Sequence, residues 1–130
     1  MEAKRIERIA SALRRAAEQE RLLPYQRFHA MFGPDDPLAT RYDALEKAVA
    51  SLGELSAVDY GALLTLYNGL PGPEFFRRAR KHRFDDYVSV MGAGIHWESI
   101  KRKRALVEVE RRRVYDDAKL KAAARVVETV

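Results

Sequence analysis

The sequence predicts a mostly α-helical domain with a small β element (α+β), arranged as a winged-helix-like three-helix core followed by a long C-terminal helix. Three observations carry this. Apolar residues recur at helical spacing through most of the 130 residues. A single short run, 62–67, has the composition of a strand. The hydrophobic fraction of 47% is enough for a core, while the 33% of charged residues must find a surface. The length suits one domain, 1–130, with residues 1–22 as an N-terminal amphipathic helix, 23–95 as the core and 96–130 as the long C-terminal helix.

The first helix is expected over 3–21, where Ile6, Ile9, Ala10, Leu13, Ala16 and Ala17 share a face. Pro24 stops it or opens the next element, and Tyr25, Phe28, His29 and Phe32 keep helical spacing until Gly33-Pro34 closes the segment. Asp35-Asp36-Pro37 has turn chemistry. Thr40 is placed to cap a third helix running to about Leu52, with Tyr42, Leu45, Val49 and Leu52 inward and Gly53 as a left-handed exit.

The strand candidate Ala62-Leu63-Leu64-Thr65-Leu66-Tyr67 leads into Asn68-Gly69 and the stiff loop Leu70-Pro71-Gly72-Pro73. Pro73 suits the first turn of a short helix, 74–80, anchored by Phe75 and Phe76. Residues 84–94 read as irregular. From Trp97 onward Ile100, Val107 and Val114 stand seven apart, with Leu106 and Ala118 widening the stripe of one long helix that trails past Leu120.

Several of these stretches together resemble a family of small bacterial proteins. They are Leu23-Pro24-Tyr25, the helix with Tyr42 and Leu45, the strand 62–67, Gly69-Leu70-Pro71-Gly72-Pro73-Glu74-Phe75-Phe76 and Glu110-Arg111-Arg112-Arg113-Val114-Tyr115. That family has a Tyr-led helix, a Gly-Leu-Pro-Gly-x-Phe-Phe loop and a closing Glu-x-x-Arg-Val-Tyr helix. The resemblance covers about residues 22–117; it implies the fold and assigns no activity. The front half is also distantly similar to the winged DNA-binding portion of alkylguanine-DNA alkyltransferases. Their Pro-Cys-His-Arg motif, or Pro-Trp-His-Arg in inactive relatives, does not occur here, so only the fold analogy carries over.

Charge is unevenly spread. Residues 1–30 hold seven Lys or Arg against four acids, residues 31–75 two against seven, and residues 76–130 fifteen against eight. The basic clusters are Arg77-Arg78-Ala79-Arg80-Lys81-His82-Arg83, then Lys101-Arg102-Lys103-Arg104 and Arg111-Arg112-Arg113. Such clusters attract phosphates irrespective of sequence. The alternative is a solvated helix face, which the i,i+4 pairs Glu98–Arg102 and Glu108–Arg112 favour.

No catalytic constellation stands out. The absence of cysteine excludes thiolate metal sites, disulfides and a cysteine nucleophile, and fits a reducing cytoplasm. His29, His82 and His96 lack ligand spacing, and His29 reads as a partly buried core residue. Asp35-Asp36, Asp85-Asp86 and Asp116-Asp117 could each supply metal ligands, but the first lies in a turn, and no acid-x-Lys strand follows Pro34-Asp35 as a nuclease core requires. Arg77 and His82 match an Arg-x4-His ribonuclease spacing, within a stretch rich enough in arginine to match by accident. No Gly-x-Ser-x-Gly elbow or phosphate-cradling glycine loop is found.

The expectation is a non-enzymatic, cytoplasmic, nucleic-acid-associated domain without cofactor or metal, DNA being favoured over RNA. Its phosphate contacts would be Arg77, Arg78, Arg80, Lys81, Arg83, Lys101, Arg102, Lys103, Arg104 and Arg111. Arg41 to Gly53, the winged-helix position for groove entry, carries Asp43 and Glu46 and makes a poor recognition helix. The alternative is a protein-interaction module, such as a phage or defence accessory factor, docking an acidic partner or pairing as a homodimer. No apolar run reaches the length of a membrane span, so no membrane role is expected.

Overall fold

The computed structural model describes residues 2–92 and 99–129. The expected readings of His96, Trp97 and Gly94 therefore lie outside the described residues. In order the elements are α1 (Glu2–Glu18), β1 (Leu23–Pro24), α2 (Tyr25–His29), α3 (Leu38–Ser51), a 3₁₀ turn (Tyr60–Leu63), β2 (Leu64–Thr65), α4 (Pro73–His82), α5 (Phe84–Met91) and α6 (Ile100–Thr129). The chain is mostly helical with a small two-stranded sheet, as expected. No helix among the described residues is long and apolar enough to cross a membrane.

The apolar stripe of α1 is buried at Ile9, Ala10, Leu13, Ala16 and Ala17. The helix ends three residues before the expected Arg21. Glu20 takes φ 51°, Arg21 N–H donates to Ala16 C=O at 2.8 Å and Glu20 N–H to Ala17 C=O at 3.1 Å. This paired-bond ending normally recruits glycine for its left-handed residue, and here glutamate fills it, so no glycine flagged the stop. α2 is likewise short, its end continued through Phe32 by single-turn bonds from Met31 to Phe28 and Phe32 to His29.

α3 begins two residues before the expected cap. Pro37 is its N-cap, extended at φ −62° and ψ 153°, and its carbonyl accepts from Arg41 N–H, so Thr40 lies inside the first turn. Gly53 is not left-handed; a Cβ there would sit 2.6 Å from Val58 Cγ1, so space rather than φ calls for glycine.

The strand expected over 62–67 reduces to Leu64–Thr65. Asp59 caps the preceding residues into a 3₁₀ turn by accepting from Gly61 N–H at 2.8 Å, which takes 60–63 out of extended conformation. β2 pairs in parallel with β1, Leu23 opposite Leu64 and Pro24 opposite Thr65. Among the described residues the two strands form a parallel pair and no antiparallel hairpin. The segment expected to be irregular is α5, whose first turn carries Asp85 and Asp86, the charge sign that a helix N-terminus favours. Gly92, at φ +85°, ends it.

Two apolar clusters result. The larger gathers α1, α2, α3 and the 3₁₀ turn around Leu13, Phe28, Leu45 and Tyr60 and includes Val114 and Ala118 of α6. The smaller gathers Ala62, Leu70, Phe75, Ala79 and Met91 with Leu106 and Val107 of α6. α6 thus runs through both, and each large side chain fully buried along it contributes about 1.5–3 kcal/mol. Ile100, expected on this stripe, is instead 47% exposed, because the stripe begins one turn and a half later at Leu106.

Candidate nucleic-acid interface

α4 starts where Gly72-Pro73 allows: Gly72 is extended, and Pro73, at the first helical turn, gives up an N–H that would have no partner. The helix then sorts its own charges. Glu74, Phe75, Arg78 and Ala79 face inward, whereas Arg77, Arg80 and Lys81 are exposed. The run 77–83 is therefore two sets of residues, one turned inward and one outward.

Arg78 belongs to the interior. Its Nε donates to Asp59 Oδ2 at 2.8 Å and its Nη2 to Asp59 Oδ1 at 3.2 Å, while Nη1 reaches Glu46 Oε1 at 3.0 Å. Burial draws the guanidinium downward, but the Asp59 and Glu46 carboxylates outweigh it and hold its pKa above the ordinary value. Arg83, the residue ending α4, pairs with the buried Glu110, whose other oxygen accepts from Asp59 N–H at 2.8 Å. Arg111 lies half-buried along the small sheet, donating from Nε to Ala62 C=O at 2.8 Å, and burial lowers its pKa. Arg78, Arg83 and Arg111, expected as phosphate contacts, are thus committed to the fold.

The remaining cations stay outward. Among the described residues Arg77, Arg80, Lys81 and Lys101 have no carboxylate or hydrogen-bond partner. Arg102 donates to Met91 C=O at 3.0 Å and Arg104 to Asn68 C=O at 3.0 Å; neutral acceptors leave both charges intact. Lys103 Nζ sits 5.3 Å from the centre of the Phe76 ring.

Arg77 and Arg80 meet Lys103 in one groove of about 450 Å³, walled by Leu66, Leu70, Pro71, Phe76, Tyr87 and Ile100, with no carboxylate among its lining residues. Arg102 and Arg104 flank Lys103 on α6. Lys101 stands about 200° round the helix from Lys103 and faces away from the groove. The two late clusters therefore converge through three residues, and only partly.

The loop wall of this groove is built from turns. Leu66 N–H donates to Leu70 C=O at 2.7 Å, Gly69 N–H to Leu66 C=O at 3.0 Å and Leu70 N–H to Asn68 Oδ1 at 3.0 Å. Gly69 takes φ +85°, which a side chain would strain. Behind it, Gly72 N–H donates to Tyr25 Oη at 2.6 Å, and the same hydroxyl donates to the buried Glu74 carboxylate. Burial and that carboxylate push the Tyr25 pKa upward, so the phenol stays a donor. This cluster ties the loop and the start of α4 to α2.

Other candidates resolve differently. His29 is half-buried against Phe28 and Tyr42, with Arg41 Nη1 3.3 Å from its Nδ1. His82 is exposed at the end of α4. Asp36 accepts from Gly33 N–H at 2.8 Å, Asp86 pairs with Arg113 and Asp117 with Tyr60 and Lys121. Among the described residues no three acidic or histidine side chains come together as a metal cluster would require. A second acid-free groove was missed in the sequence: Arg15, Arg21 and Arg27 line about 270 Å³ together with Ala12, Leu22 and Met31. The excess of cations in residues 1–30 was its only trace, because two helices and a turn bring the three together.

No family model, curated protein or solved structure matches the chain, so a reading of its function rests on its own residues.

Proposed function

We propose that the chain is a non-enzymatic nucleic-acid-associated domain that holds the phosphate backbone on the face made by α4 and the start of α6. One observation supports this above the others. Arg77, Arg80 and Lys103 come from segments more than twenty residues apart, yet line a single groove that holds no acid. Phosphates would displace counterions from these cations, with Lys81, Arg102 and Arg104 reinforcing the field from the edges.

Fluorescence anisotropy of labelled DNA and RNA oligonucleotides, repeated at rising salt, tests the reading. Binding at low salt that weakens linearly on a double-logarithmic plot is expected. Absence of binding at low salt overturns it. A second reading, docking of an acidic protein segment, draws on the apolar walls Leu66, Leu70 and Ile100. Light scattering separates the two: a salt-sensitive dimer with no affinity for nucleic acid favours the second.

A further inference from the structure

The groove combines two surfaces that a duplex backbone does not need together. Arg77, Arg80 and Lys103 line it together with apolar and aromatic side chains: Leu66, Leu70, Pro71, Phe76, Tyr87 and Ile100. Leu66 and Ile100 are 39% and 47% exposed, so hydrocarbon lies open to water beside Arg77, Arg80 and Lys103. The volume of about 450 Å³ falls in the range of sites that enclose small organic groups.

A second observation comes from the loop. Tyr67 stands between the lining residues Leu66 and Asn68 and is 103% exposed. The turn that carries it is closed by the bonds from Leu66 to Leu70, Gly69 to Leu66 and Leu70 to the Asn68 side chain, and is tied to α6 by Arg104. An aromatic ring is thus held in water on a turn bonded on both sides, next in sequence to two residues that line the cationic groove. Ordering it on binding would cost little conformational entropy.

Resting on the reading above, we propose that this groove takes unpaired nucleotides of a single-stranded nucleic acid. Phosphates lie on Arg77, Arg80 and Lys103, a base packs on the Phe76 and Tyr87 wall, and a neighbouring base stacks on Tyr67. In a duplex the base faces are already stacked and only phosphates are offered, so the apolar walls and Tyr67 gain nothing.

The test uses the full chain and three labelled probes of one sequence: single-stranded DNA, the corresponding DNA duplex and single-stranded RNA. Each single strand is expected to bind about tenfold more tightly than the duplex, and the tighter of the two identifies the preferred sugar. Tyr67→Ala, at a position without buried contacts, is expected to lower affinity for single-stranded DNA about tenfold, leave duplex affinity unchanged and preserve the unfolding midpoint. Tyr67→Trp keeps the affinity. A duplex bound as tightly as the single strands, or a silent Tyr67→Ala, overturns the proposal while the phosphate reading stands. Failure of all three probes to bind at low salt instead removes the phosphate reading itself.

Discussion

Replacing Arg78 with alanine separates a structural arginine from a binding one. In the folded chain Asp59 is 1% exposed, and its cationic partner is Arg78, reached through two bonds of 2.8 and 3.2 Å. After the substitution Asp59 keeps the Gly61 N–H but loses the guanidinium, leaving a buried carboxylate without a counter-charge. Glu46, with a side chain 42% exposed, turns to water at little cost. The loss therefore comes from Asp59 and amounts to about 3–5 kcal/mol, the range for breaking one side of a buried ion pair. Domains of this kind have total stabilities of about 5–15 kcal/mol, so the variant loses a large share. Urea unfolding followed by circular dichroism measures it. Asp59→Asn combined with Arg78→Met is expected to cost less than the sum of the single changes, since neither leaves a lone charge when both are made. A loss below about 1 kcal/mol for Arg78→Ala, accompanied by weakened nucleic-acid binding, would place Arg78 on the binding face and refute the reasoning.

Two further outcomes follow from the same structure. Glu20→Gly relieves the left-handed residue that ends α1 and is expected to raise stability by about 1 kcal/mol in the same urea assay; a loss would mean that the Glu20 side chain contributes more than its backbone costs. Burial, and next the neighbouring Arg41, lower the His29 pKa below its ordinary 6.5. As pH falls through that value the unfolded chain takes up the proton first, so the stability held above pH 6.5 declines below it until the folded-state value is passed. His29→Gln is expected to flatten that part of the stability profile, and an unchanged slope would assign it to other groups.

The sequence was readable where period and position coincide. The α1 stripe, the α6 stripe from Leu106 onward, Pro73 at the start of α4 and the bend at Gly69 follow from local chemistry, and they appear where expected. The strand boundary was misplaced because its deciding partners lie elsewhere in the chain. Asp59 bending 60–63 into a 3₁₀ turn depends on Arg78 and Glu110 holding that carboxylate and its backbone in place. Of the arginines in 77–83, helical period alone separates 77 and 80 from 78, but it does not tell which side is buried. That needed Asp59 and Glu46, nineteen and thirty-two residues away from Arg78. The groove itself was not legible, because loop 66–73, α4 and the start of α6 meet only in three dimensions. The N-terminal arginine groove escaped for the same reason.

The central claim is that a specific groove, rather than overall positive charge, captures phosphates. Two variants that remove equal charge test it most directly: Arg77→Gln, Arg80→Gln and Lys103→Gln together, against Arg15→Gln, Arg21→Gln and Arg27→Gln together. At 0.1 M salt each lost phosphate contact to a single strand is worth about 1 kcal/mol of counterion release, so the first variant is expected to bind about a hundredfold more weakly, with a salt slope smaller by about 2. The second is expected to stay within about threefold of the unsubstituted chain, as general charge effects allow. Equal weakening by both variants would contradict the account and make the attraction a property of net charge alone.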